Sequence, residues 1–541
     1  MDYPVETFTD DERALLRAHV TNLDQPVFAL VNLPETLKGA LFARYSRYPG
    51  TLRRLLLDEF AADLPGGDEA AAGAGGDSSR AAQLYERIFL GYGDDSVAQL
   101  GGAHVACEWV SNVLTKVLQR PRLGAYLEQS TRYIAYDAPM PGGGAPGADA
   151  PRYRYYRDAE LGPAYTRAMD ELFATYSAAL PQVVAWAQDE FPRTDDDAPA
   201  AHARALKAKA LDLLRGLLPA SSLSHMGIFA TGQTYEQLIL HLLAHPLPEA
   251  RHYGAMILQE LQKVMPSFVA RVDRPDRGGQ WIGYLQSRAE AGARWARRLG
   301  LEEDAAAAAG PSVRLTHVDG DEDDLLVALM FEASATSEDA IRRSLEGLPD
   351  AQRAQLLSDL IGERANRRHR PGRGFEALRY RFEIVADYGA FRDLQRHRML
   401  SMEWQPLGIS LGYDMPELVV DAGLDDRYAE AIGRAEELYR SLRPDFPEQA
   451  SYVVALAHRI RYVMQFNARE AMHLIELRSG AQGHPAYRRV AQQMHRAIAE
   501  VAGHRALAEA MTFVDHGATD LERLESERRA ERRRTEKSAT H

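Results

Sequence analysis

Apolar residues recur at i, i+3, i+4 and i+7 in SDLIGERANRR, DRYAEAIGRAEELYRSL, YEQLILHLLAH and AREAMHLIELR. That spacing lines one face of a helix. LRYRFEIVADY instead alternates and is rich in aromatic and β-branched side chains, which predicts a strand. With one such strand expected in each half and helical spacing nearly everywhere else, the class is α+β, dominated by helices, with a small sheet in each half.

The two halves echo each other. FALVNLPETLKGALFARYS at 28 to 46 and VRLTHVDGDEDDLLVALMFEAS at 313 to 334 both run from a short β-rich stretch into an amphipathic helix. VLQRPR at 117 to 122 and DLQRHR at 393 to 398 each follow an apolar or alternating segment, and from Arg120 to Arg396 the register differs by 276 residues. A diverged tandem duplication is the reading. Gly/Ala/Pro-rich stretches at 65 to 79, 139 to 151 and 302 to 312 bury little apolar surface and read as loops. The last of them separates a first domain over 1–300 from a second over 301–520. The glycines at 142 to 147 are not followed by GK[ST], so they make no phosphate loop. From Leu521 to the end, seven basic and five acidic residues leave almost nothing apolar, and a charged flexible tail, a frayed helix or a disordered end, is expected there rather than a nucleic-acid arm.

Composition narrows the function. Lys plus Arg number 64 against 77 Asp plus Glu, a net charge of -13, which argues against a dedicated nucleic-acid binder. The single cysteine, Cys107, excludes a disulfide framework or a thiolate-clustered metal site within one chain, and its apolar run marks it as a buried hydrophobe. MDYPVETFTDDERALL has no basic region leading into an apolar run, and nothing approaches a membrane-spanning length, so a cytoplasmic protein is expected.

Three segments carry candidate chemistry. In QRPRLGAYLEQSTRY, Glu128, Ser130 and Arg132 fall at i, i+2 and i+4 with Gln129 between them, which in an extended loop turns three polar groups to one side. Arginine there suits a phosphate; a solvated polar loop is the plainer alternative. QRHRMLSMEWQPLGI concentrates Arg396, His397 and Arg398, suited to a diphosphate or simply an exposed basic turn. QFNAREAMHLIELRSG places Asn467, Arg469, His473 and Arg478 on one helix, and 467 and 478 are 11 apart, about three turns, so both face the same way. Such a stripe pairs internally or meets a ligand. His241 and His245 have the spacing of a helical metal pair but lack an adjacent acid and a third ligand, so no metal is expected.

Together these segments resemble the flavin-dependent thymidylate synthases, whose motifs read RHRxxSxNExSxRY and, further on, NAR-x3-N/H-x4-R. The resemblance covers about 28 to 290 and again 313 to 515, as if two subunits were joined. The first half keeps the nucleotide-loop Glu128, Ser130 and Arg132 and an arginine before Leu-Pro, Arg215, but has Pro121 for the motif histidine and Thr231, Gln233 and Leu242 on the helix. The second half keeps Arg396, His397 and Arg398, the acidic Glu376 twenty residues earlier, and Asn467, Arg469, His473 and Arg478. Its loop has Trp404, Pro406 and Gly408 instead, and Ser451 stands for Arg215. Upstream, Asp94 and Gln99 replace the family's His and Glu.

The resemblance implies methylation of deoxyuridylate to thymidylate. FAD would be the cofactor, reduced nicotinamide the electron source and methylenetetrahydrofolate the co-substrate. It implies Arg478 and Arg132 as catalytic residues; Glu128, Gln129, Ser130, Arg132, Arg215, Arg396 and Arg478 around the nucleotide; and Glu376, Arg396, His397, Arg398, Asn467, Arg469 and His473 around the flavin. The losses are complementary, which implies a composite site built by unlike halves and a homodimer standing in for the family's homotetramer. A related flavin-dependent uridylate modification, or a non-catalytic nucleotide-binding protein on the same fold, is the alternative.

Overall fold

The computed structural model describes residues 6–45, 48–61, 64, 97–138, 153–195, 197–301, 310–518 and 520–539. Asp94, the loops at 65 to 79 and 139 to 151, and most of that at 302 to 312 lie outside them. Along the chain, helices α1 (Glu35–Tyr45) and α2 (Leu52–Phe60) precede strand β1 (Gly102–Ser111) and strand β2 (Gly124–Glu128). Two long helices follow, α3 (Gly162–Glu190) and α4 (Pro199–Leu214), each opened by proline in its first turn. Strand β3 (Leu223–Thr231) then runs into helix α5 (Gly232–Ala244), followed by α6 (Pro248–Val264) and α7 (Gln280–Arg298).

The second half repeats the order. Strand β4 (Ser312–Asp319) leads to helix α8 (Glu322–Phe331), and strand β5 (Arg379–Asp387) to the short helix α9 (Tyr388–Leu394) and strand β6 (Ser401–Trp404). Helix α10 (Asp425–Leu442) precedes strand β7 (Arg459–Asn467), which passes directly into α11 (Ala468–Ser479); α12 (Pro485–Glu500) and α13 (Leu524–Ala539) complete the order. The architecture is helix-dominated α+β, with one sheet in the order β1-β3-β2 and another in the order β4-β5-β7-β6. Single strands per half were too few: LRYRFEIVADY does form β5, but it needs hydrogen-bonded neighbours on both edges, and β4 and β7 supply them antiparallel. The β-rich stretch at 28 to 33 contributes only a bridge, Val20 to Leu30.

Chain contacts define two compact units that interleave the halves. One comprises 1–110, 117–129 and 225–303; the other comprises 111–116, 130–224 and 304–541. The second unit thus joins α3 and α4 of the first half to the whole second half. Its core is built on β5 and β7, whose inward residues Tyr380, Phe382, Ile384, Tyr462, Met464 and Phe466 are all buried.

Of the forms expected for the tail, it takes the helical one, over Leu524–Ala539. Its charges fail as a hydrophobic stripe but succeed as ion pairs: Arg204 on α4 meets Glu527 and Glu531 of α13, each at 2.6 Å, and Arg528 meets Asp197 at 2.6 Å. No helix among the described residues is long and apolar enough to cross a membrane.

Candidate active site

Capping residues at the ends of β5 and β7 bring one site together. Asp387 ends β5 and accepts from the Ala390 amide at 2.9 Å, starting α9 and delivering Asp393, Arg396 and His397. Asn467 ends β7 and accepts from the Glu470 amide at 2.9 Å, starting α11, which carries Arg469, Glu470, His473 and Arg478. From the first half, α4 contributes Asp212, the turn after it Arg215, and the segment beyond β2 contributes Arg132. All of these lie in the second unit.

Their charges interlock. Arg132 is buried and holds Asp212 with two parallel bonds, Nε to Oδ1 at 2.8 Å and Nη2 to Oδ2 at 2.7 Å, while its Nη1 donates to the Tyr487 hydroxyl at 2.9 Å. Arg215 Nη1 donates to Asp393 Oδ2 at 3.3 Å, and its Nη2, buried, has no hydrogen-bond partner. Arg396 stands 3.6 Å from Asp393. Burial alone would raise the Asp393 carboxyl; the charges of Arg396, Arg215, Arg132 and Arg478 instead hold it well below its ordinary range. Two arginines from each half of the chain therefore act on one carboxylate. Burial raises Asp387, by contrast, to about 6 despite Arg215.

Arg478 completes a second chain of bonds. Its Nε donates to His397 Nε2 at 2.9 Å, and its guanidinium lies 5.5 Å from the centre of the Tyr487 ring. Because an arginine only donates, His397 Nε2 must accept, so the proton sits on Nδ1 and is given to Glu470 Oε1 at 2.9 Å. Burial, with Arg478 beside it, pushes His397 down to about 4 and keeps it neutral. Burial opposes ionisation of Glu470, but bonds from His397 and His473 bring its carboxyl to about 2. The histidine is a fixed neutral link between a carboxylate and a guanidinium.

The remaining sequence-predicted residues are placed as follows. Glu128 and Gln129 belong to the first unit: Glu128 accepts from Gln119 Nε2 at 2.8 Å, and the Gln129 amide donates to the His225 carbonyl at 3.0 Å. Ser130 is in the second unit, its hydroxyl accepting from the Arg132 amide at 3.2 Å. Arg398 is half-buried. Arg469 donates to the Pro371 carbonyl at 2.9 Å and stands 4.0 Å from Glu376, itself paired with Arg373 at 3.1 Å. Among the described residues His397, Glu470 and His473 are also the group close enough to share a metal, and the bonds given above account for their proximity.

Sequence reasoning missed the acids. Asp212, Asp393 and the hydroxyl of Tyr487 are what the arginines hold, and Glu470 is what His397 and His473 hold; Asp393 and Glu470 lie inside the motif segments, three residues before Arg396 and three after Asn467. A buried arginine requires such a partner, and that requirement was the available signal. The first unit has a cavity of about 640 Å³ lined by Gln233, Gln237, Arg271, Trp281 and Tyr284, none of them a sequence-predicted site residue. Cys107 is buried, which pushes its thiol up to about 12 and makes it a poor nucleophile.

The family model described as thymidylate synthase complementing protein matches the chain twice, over 55–267 and 315–503. Curated relatives named UPF0159 protein match nearly end to end. That of Chlamydia muridarum is 39% identical over 535 residues, covering 96% of this chain and 98% of the relative. That of Thermoplasma acidophilum is 32% identical, covering 91% and 97%. Among solved structures, a UMP/dUMP methylase PolB from Streptomyces cacaoi bound with 5-Br dUMP is 24% identical, covering 38% of this chain and 97% of that one with a TM-score of 0.32.

Proposed function

The chain belongs to the thymidylate synthase complementing family, matched twice along its length, and from that premise we propose that it methylates deoxyuridylate to thymidylate with FAD as cofactor. The observation that carries this reading is the convergence of Arg132, Arg215, Arg396 and Arg478 on Asp393. Such a cluster of guanidinium groups, with Arg396 still reaching solvent, suits a nucleotide phosphate.

In the proposed mechanism Arg215, whose Nη2 makes no hydrogen bond and stands 3.8 Å from Asp387, and Arg396 bind phosphate. Arg132 stays paired with Asp212 beside Ser130. Arg478, oriented by neutral His397, would stabilise negative charge on the carbonyl oxygens of the base.

The donors near α11 fit a flavin dinucleotide. The side chains of Arg396, Arg469 and His473 are 37%, 32% and 24% exposed and can turn toward an anionic diphosphate. Glu376 stands 4.0 Å from Arg469, His397 is bonded to Glu470, and Asn467 caps α11; Arg398 is assigned to the same flavin edge by the resemblance alone. Bound FAD supplies the reducing power, drawn from reduced nicotinamide, and mediates one-carbon transfer from methylenetetrahydrofolate to C5. A high-pKa cysteine is no obstacle to this route, since the nucleophilic thiolate of classical thymidylate synthesis is not required. The proposed assembly is a homodimer with one composite site per chain.

The test is direct. Reduced protein incubated with FAD, methylenetetrahydrofolate and deoxyuridylate should yield a nucleotide heavier by one methylene, with binding that saturates at one nucleotide per chain. An unchanged nucleotide mass rejects methylation, and two nucleotides per chain reject the division of labour between halves.

A further inference from the structure

The charged C-terminal segment lies beyond the family-matched residues, which end at 503, yet it reaches the Arg132 pair. Arg523 is buried; its Nη1 donates to the Arg132 carbonyl at 2.7 Å and its Nη2 to Asp212 Oδ1 at 3.4 Å. The same guanidinium sits 4.1 Å from the centre of the Tyr133 ring. One side chain thus grips both the backbone of the nucleotide-loop arginine and the carboxylate that holds that arginine's side chain.

The segment is docked for this purpose by complementary charge. Glu522, next to Arg523, forms an ion pair with Lys209 of α4 at 2.8 Å, with both side chains no more than 4% exposed. Further along, α13 is anchored to Arg204 and Asp197 by the pairs already described. A charge run that is merely solvated does not bury a Lys–Glu pair at its root, because the desolvation is costly without a fixed partner.

The electrostatic consequence is specific. Arg132 and Asp212 alone neutralise each other. With Arg523 on the same carboxylate, the trio carries one net positive charge next to Ser130, which is the charge a phosphate would meet. Asp212 stays ionised: burial would raise its carboxyl, but Arg132, His484 and Arg523 bring it to about 2.

We propose that Arg523 is a positioning residue of the nucleotide site, fixing Arg132 and restoring the positive charge that Asp212 cancels. This rests on the nucleotide reading above. Deoxyuridylate and FAD affinities and the melting temperature should be measured for the full chain, Arg523→Ala, Arg523→Lys, and Arg528→Ala as a control that loosens α13 away from Arg132. Arg523→Ala should weaken deoxyuridylate binding about tenfold or more, with FAD affinity unchanged. Arg523→Lys, which keeps the charge but not the fork, should fall between. Arg528→Ala should lower the melting temperature without moving nucleotide affinity.

Normal nucleotide binding by folded Arg523→Ala overturns the inference, as does an equal loss in Arg528→Ala, which would make the effect one of tail docking. Should Arg523→Ala fail to fold, unchanged affinity in Arg523→Lys overturns it instead. Failure of the unaltered chain to bind deoxyuridylate would reject the nucleotide reading itself and this inference with it.

Discussion

Helices α5 and α11 are built on one plan and differ in what they can afford to bury. Each begins where a strand ends, and each is capped by the last strand residue: Thr231 accepts from the Thr234 amide at 3.4 Å, Asn467 from the Glu470 amide at 2.9 Å. Beyond the cap they diverge. At the positions where α11 has Glu470, His473 and Arg478, α5 has Thr234, Gln237 and Leu242, and Leu242 is wholly buried. In α11 a guanidinium occupies that place only because His397 accepts from it and Glu470 fixes the tautomer of His397. The lesson is that a functional charge on such a helix comes as a set: the arginine, its acceptor and the acid behind it.

Exchanging residues between the two helices sharpens this comparison. The largest effect is expected for Leu242→Arg, which buries a charge with none of the supporting set; a loss of about 3 to 5 kcal/mol in unfolding free energy should follow. Chemical denaturation measures it, and a loss below about 1 kcal/mol would mean that α5 already has a partner for the charge. The reverse exchange, Arg478→Leu, leaves His397 Nε2 without its donor and should cost about 1 to 3 kcal/mol of stability, and it should weaken deoxyuridylate binding by about 1.5 to 3 kcal/mol, at least tenfold, in a calorimetric titration. Retained affinity would remove Arg478 from the site. The smallest effects are expected at the shared feature. Thr231→Ala and Asn467→Ala should each cost about 1 kcal/mol in denaturation, since both delete only a cap. A much larger loss at Asn467 would show that this residue does more than begin its helix.

What the sequence disclosed was local. Alternation marked β5, the β-then-helix order at 313 to 334 became β4 and α8, and helical spacing marked α11 together with the stripe of polar side chains it carries. Periodicity could not reveal partners. Asp212 is 80 residues from Arg132, and Tyr487 is 355 away, so neither contact leaves a trace in any short window. The tail misled for the same reason: without an apolar face of its own it reads as solvated, while the acidic and basic residues that receive it, Asp197, Arg204 and Lys209, lie more than 300 positions earlier. The strands flanking β5 were likewise a matter of non-local hydrogen bonding.

The bond from Arg523 to the Arg132 carbonyl spans 391 residues. On a ribosome adding about 5 to 20 residues per second, the two arginines are made roughly 20 to 80 seconds apart. For the last 311 residues of that stretch the nascent chain already holds both Arg132 and Asp212, free to find each other, while the residue that ties them down has yet to be translated. Completion of this corner is therefore a late event in biogenesis, and a polypeptide released early by a stalled ribosome would retain nearly every motif of the family while lacking its final clasp.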